Sequence, residues 1–110
     1  MDQPVAGFDW DDGNREKCRQ HGVLIADIEV LFRQEIWVIP DPSHSASETR
    51  FRAIGIDAKG RHLFVAFTLR NRQGMRLVRP ISARYMHKKE VRHYEKQKAE
   101  TEKTSGSENG

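Results

Sequence analysis

Three β-prone runs follow one another between Thr49 and Ser82, separated only by two short connectors that each end in glycine. The runs are Thr49 to Ile56, His62 to Arg70 and Met75 to Ser82, joined by Asp57-Ala58-Lys59-Gly60 and Asn71-Arg72-Gln73-Gly74. Connectors this short, with the glycine that a hairpin turn needs, predict a three-stranded antiparallel meander. Phe51, Ala53, Leu63, Val65, Phe67, Leu77 and Ile81 fall among its alternating positions, so one face of the sheet is apolar and other parts of the chain have to cover it. Pro80 has no N–H to give the ladder, which predicts a bulge or a free edge near the end of the last strand.

The covering elements come before and after the meander. Phe8 and Trp10, alternating with Asp9 and Asp11, read as a short strand with Trp10 in the core. Asp11 to Asn14 form a turn or cap cluster. A polar helix follows over residues 14–20, and Gly22 closes it in a left-handed conformation. Ile25, Ile28 and Phe32, flanked by Leu24 and Leu31, have the spacing of a second helix over residues 24–33. Ile36-Trp37-Val38-Ile39 reads as a strand ended by Pro40-Asp41-Pro42, with loop over residues 43–47. After Arg84 a helix is expected to about residue 98, with Val91 and Tyr94 inward and His87 and Glu90 as a capping pair. The fold class is therefore α+β: a small antiparallel sheet of about four to five strands, with N-terminal helices and a C-terminal helix. One domain is expected over residues 7–98, with a loose N-terminus over 1–6 and a disordered tail over 99–110.

Charge is divided along the chain. Residues 1–49 hold ten acids against four Arg or Lys, a balance of −6. Residues 70–94 hold eight cations (70, 72, 76, 79, 84, 88, 89 and 92) against Glu90, a balance of +7. Segregation of this kind usually marks a polyanion surface. The single cysteine, Cys18, excludes an internal disulfide, and the start lacks a basic stretch followed by an apolar run, so a cytoplasmic protein is expected. The longest apolar run, Leu63 to Phe67, falls far short of the roughly 20 residues of a membrane helix. His44, His62 and His93 lack pairing spacing and no cysteine pair exists, so neither a metal nor another cofactor is expected.

Taken together, Phe8-Asp9-Trp10-Asp11, His21-Gly22-Val23, Asp41-Pro42-Ser43-His44-Ser45, Glu48-Thr49-Arg50-Phe51, Gly55, Gly60 and Ile81-Ser82-Ala83-Arg84, followed by Glu90 and Tyr94, resemble the BrnT toxins of bacterial type II toxin–antitoxin systems. The resemblance runs from about Phe8 to Glu95. It implies a fold like that of RelE-type ribonucleases and metal-independent RNA cleavage that blocks translation. It also implies neutralisation by a BrnA-like antitoxin, with DNA contacted only through that antitoxin. The chain departs from the family pattern at Asn14, Cys18 and Gln20, where lysine, asparagine and lysine are usual. Lys17 and Arg19 on the same helix offer compensation. The loss of two cations supports an alternative, a catalytically weakened homologue that acts as antitoxin partner in a transcription-regulating complex. A free-standing DNA-binding domain is a third reading, against which stands the lack of any helix-turn-helix pattern.

Cutting RNA without a metal uses the 2′-hydroxyl as nucleophile and needs a base, an acid and fixed cations for the charge that builds on phosphorus. Arg84, Arg50 and Arg70 are the candidate cations, expected on adjacent strand ends; Arg84 also matches the family's Ser-Ala-Arg position, although it can equally pair with Glu48 or Glu90. His21 is a candidate for proton transfer or a helix-end cap. Glu48 is a candidate base or a support for Arg50, and Tyr94 either packs in the core or meets a base. Arg72, Arg76, Arg79, Lys88, Lys89 and Arg92 either steer RNA or form a solvated face.

Overall fold

The computed structural model describes residues 5–42 and 48–109, with side chains described through Thr101. The expected loop over 43–47, with His44, lies outside the described residues, as does most of the expected loose N-terminus. The order of elements is β1 (Gly7–Phe8), α1 (Asp12–Arg19), α2 (Ile25–Leu31), β2 (Trp37–Pro40), β3 (Phe51–Ile56), β4 (His62–Arg72), β5 (Met75–Tyr85) and α3 (Lys88–Asn109). α3 thus extends past residue 98. No described helix is long and apolar enough to cross a membrane.

The meander is present, and its strands form a five-stranded sheet in the order β1-β5-β4-β3-β2. Four strands pair antiparallel as expected. β1 differs: it joins β5 in parallel, Gly7 beside Leu77 and Phe8 beside Val78, so the sheet is mixed. Periodicity showed a strand there but carried no information on its distant partner. The second hairpin is also tighter than expected. β4 runs on to Arg72 and β5 starts at Met75, leaving Gln73 and Gly74 as a two-residue turn with φ of 53° and 77°. Positive φ at both central residues gives the turn the twist that such long strands require. Pro80 sits at the expected irregularity: Ala66 pairs with Ser82 and Phe67 with Pro80, so Ile81 is the extra residue of a bulge.

The sheet's two faces follow from the register. Val38, Ala53, Val65 and Ala83 lie in one row across four strands, and the next row is Trp37, Ile54, Phe64 and Arg84. The first row faces inward, where Ala53, Val65 and Ala83 join Leu63, Phe67 and Val78 under Cys18, Val23, Ile28 and Leu31 of the α1–α2 layer. Phe8, Phe32, Phe67 and Phe51 form a chain of ring contacts through this layer at centroid distances of 5.9, 5.0 and 5.5 Å. Trp10 is only half-buried, and its Nε1–H donates to Glu29 Oε2 at 2.9 Å, tying the start of the chain to α2. α1 starts with Asp11 and Asn14 as a reciprocal capping box, and Gly22 takes the left-handed conformation expected after it (φ 81°).

α3 lies over the other face. Tyr94, buried as expected, meets Trp37 at 5.1 Å and His62 at 5.8 Å, and His62 Nε2 lies 2.8 Å from Glu95. Glu90 accepts from the His87 backbone N–H, as the capping-pair reading requires.

At Gly55 α2 packs tightly on the sheet: a Cβ there would stand 2.6 Å from Leu31 Cδ1 and 3.0 Å from Ile36 Cγ2. Leu31 is fully buried in the core. Gly55→Ala is expected to lower stability by roughly 1–3 kcal/mol through overpacking, read as a lower urea midpoint. An unchanged midpoint would mean that the helix layer yields freely.

Candidate active site

Outward-facing residues on β3, β4 and β5 recur every second position, and the bulge keeps both ends of β5 on that pattern. The outer rows are Trp37–Ile54–Phe64–Arg84 and then Ile39–Arg52–Ala66–Ser82. Arg79 beside Thr68 follows, with Arg50 two residues from Arg52. Beyond them, at the far end of this face, a cleft of about 340 Å³ opens against the start of α1.

The cleft brings together Lys17, Glu48, Arg50, Arg70 and Arg79, with Asp11 at its wall: four cations against two carboxylates. Arg70 Nη2 donates to Glu48 Oε1 at 3.0 Å. Its Nε–H is buried and has no hydrogen-bond partner among the described residues. Arg79 donates to Asp11 Oδ2 at 2.7 Å and lies 3.7 Å from Asp9, while Arg72 reaches Asp9 from outside at 3.1 Å. Asp11 is held below the usual carboxylate range by the backbone N–H of Asn14 and by Arg79. Thr68, almost fully buried, donates its hydroxyl to the Thr49 carbonyl at 2.8 Å and so fixes the approach to Glu48 and Arg50.

Glu48, Arg50 and Arg70 therefore come together as the sequence reading expects, whereas Arg84 does not join them. Arg84 pairs in register with Phe64, six residues from Arg70 along β4, a separation of about 20 Å at the usual strand rise. Both terminal nitrogens of Arg84 donate to Glu90, at 2.7 and 2.8 Å, and its guanidinium lies over Phe64, 4.8 Å from the ring centre. Alternation told which face Arg84 occupies but not which end of it. His21 is exposed in the turn after α1 and does not line the cleft. Lys88 and Arg92 line a separate hollow beside Arg61 and Tyr85, and Lys89 borders the groove beneath α3. Arg76 is half-buried on β5 outside the cleft lining.

Lys17 is the cleft residue the candidate set left out. Its signal was helical spacing, since Asn14 and Cys18 point inward four residues apart and leave Lys17 at the boundary. Asn14 is not the gap left by a missing cation. It is buried, its side-chain amide donates to the carbonyls of Asp9 and Pro80, and its oxygen accepts from the Asp11 N–H. Cys18 is likewise a core residue, and burial pushes its thiol up to about 11.

The Arg84–Glu90 pair has a measurable consequence. The hydrogen bonds from Arg84 and from the His87 backbone bring the Glu90 carboxyl down from 4.5 to about 2. Because the folded value is the lower one, the pair's contribution is complete above about pH 4.5 and is lost as pH falls toward 2. Glu90→Gln is expected to lower the urea midpoint at neutral pH, with the gap to wild type closing in acid. A gap that stays constant through that window would show that this pair does not support the fold.

A family model described as "Ribonuclease toxin, BrnT, of type II toxin-antitoxin system" matches residues 10–90. No curated protein matches the chain.

Proposed function

Because the chain belongs to the BrnT family of type II toxin–antitoxin ribonuclease toxins, we propose that it cuts RNA without a metal at the cleft between α1 and the outer sheet face, with Arg50 and Arg70 as its central cations. The observation that carries this is the gathering of Lys17, Arg50, Arg70 and Arg79 around Glu48 in one open cleft. In the proposed reaction Glu48 takes the proton of the 2′-hydroxyl, and that oxygen attacks the adjacent phosphorus. The bond to the 5′-oxygen then breaks, leaving a cyclic phosphate and a free 5′-hydroxyl. Arg50 and Arg70 hold the phosphate oxygens while charge accumulates on them. Arginine does not give up its proton in proteins, so the leaving oxygen is protonated by Lys17. Asp9 and Asp11 aim Arg79 at the cleft wall. Arg72, Arg76, Lys88, Lys89 and Arg92 lie outside the cleft and act on RNA only by attraction at a distance. The same toxin is neutralised by a BrnA-like antitoxin, and reaches DNA only through it.

Arg70→Ala and Arg50→Ala are each expected to reduce cleavage of bulk RNA in excess chelator by about a hundredfold. Arg84→Ala should lose far less activity, its loss appearing in stability. Circular dichroism confirms that each variant is folded. Activity of Arg70→Ala equal to wild type would remove this site assignment, and cleavage abolished by chelator would remove the metal-free mechanism.

Salt gives an independent measure. If all four cleft cations meet phosphates of a single strand, log affinity should fall against log salt with a slope of about −3. A flat response would show that they do not.

A further inference from the structure

A second and larger hollow lies on the same face, outside the cleft. It is a groove of about 800 Å³ between the outer sheet face and α3, with Trp37, Ile39, Ile54, Phe64 and Met86 along its floor. α3 does little to seal it, because Val91, Tyr94 and Ala99 are its only apolar residues between 88 and 101. Tyr94 makes the bridging contact against Trp37, leaving the remaining apolar floor bordered by polar and charged side chains. The rim carries Arg52, Arg84 and Lys89; Arg84 is held by Glu90 through both terminal nitrogens, and Arg52 donates one Nη2 bond to Asp41 Oδ1 at 3.1 Å.

An apolar floor with a cationic rim is complementary to a protein segment that carries apolar side chains flanked by carboxylates. Single-stranded RNA fits it less well, because stacking needs open ring faces. Here the Phe64 ring is under the Arg84 guanidinium at 4.8 Å, and Tyr94 stands against Trp37 at 5.1 Å.

We propose that this groove is the docking site of the antitoxin, through a segment whose apolar side chains settle between Trp37, Ile39 and Phe64 and whose carboxylates meet Arg52 and Lys89. The proposal rests on the reading of the chain as a type II toxin and adds how neutralisation works. Arg52 of the groove, on β3, and Arg50 of the cleft, just before that strand, are two residues apart, about 7 Å in extended chain. A segment lying in the groove that reaches past Arg52 covers the cleft, so the antitoxin shields the phosphate site without having to imitate RNA.

The test titrates a purified BrnA-type antitoxin into wild type, Ile39→Glu and His93→Glu, and measures RNA cleavage by the same preparations with and without it. Ile39 is on the groove floor. His93 is exposed on the α3 side of the groove, where a carboxylate repels an acidic segment without touching the core. Both variants are expected to bind the antitoxin at least about tenfold more weakly, to cleave RNA like wild type alone, and to escape neutralisation. Antitoxin binding as tight as wild type in both folded variants would overturn the proposal, as would failure of wild type to bind it at all. Loss of cleavage with antitoxin binding intact would assign the groove to RNA, and loss of a homodimer on gel filtration would assign it to a second copy. A wild type that never cleaves RNA, with weaker antitoxin binding in the variants, would remove the nuclease reading and leave the docking site standing.

Discussion

The bulge at Ile81 sets the arrangement of everything else on the sheet. Val78 and Ala83 both point into the core although they are five residues apart, and Arg79 and Arg84 both point outward across the same interval. Strict alternation would place the members of each pair on opposite faces. One extra residue restores the parity. Pro80 makes the irregularity inexpensive, since it has no N–H to lose from the ladder, and its carbonyl is used by Asn14 of α1 at 2.8 Å. The residue that breaks the strand's regularity therefore also attaches the helix that walls the cleft. A β5 without a bulge would either bury an arginine or expose part of the core.

Much of this was legible in the sequence because it is local. Hairpin glycines, strand alternation, the Asp11–Asn14 cap, the left-handed Gly22 and the irregularity at Pro80 all follow from residue chemistry within a few positions. Relations that depend on register were not legible. β1 pairs with β5 at long range, Gly7 beside Leu77, and two residues of strand hold no record of their partner. Glu48, Arg50 and Arg70 were rightly grouped because β3 and β4 are hairpin neighbours whose pairing the connector fixes. Arg84 was misplaced because the same face has two ends about 20 Å apart, and alternation is identical at both. Lys17 was named only as compensation beside Arg19, because a helix-boundary lysine looks the same whether it faces solvent or a cleft.

The division of charge along the chain has a different meaning once folded. Asp9, Asp11 and Glu48 from the acidic segment meet Arg72, Arg79 and Arg70 from the basic one, and Asp41 meets Arg52, which lies between the two. Each pair keeps at least one partner partly in solvent, which screens the attraction, so these pairs are not what holds the sheet together. Their effect is directional. An arginine whose fork is held on one side by a carboxylate loses little further freedom when a phosphate arrives on the other, and preorganised donors are what a charged transition state requires. The acidic half is thus the support that aims the basic half.

That support explains why Arg84 and Arg70, alike in residue type, exposure and strand position, serve different ends. Arg84 has both terminal nitrogens on Glu90 and its plane on Phe64, and Glu90 also caps α3 through the His87 N–H. Displacing Glu90 from Arg84 would uncap the helix that the groove depends on, so this arginine is committed to holding α3 over the sheet. Arg70 shares only one nitrogen with Glu48 and keeps a buried donor without a partner among the described residues. Of these two arginines, one is held through both terminal nitrogens by a carboxylate that also caps a helix and the other through one, and that difference in tethering, rather than charge alone, distinguishes the groove from the cleft.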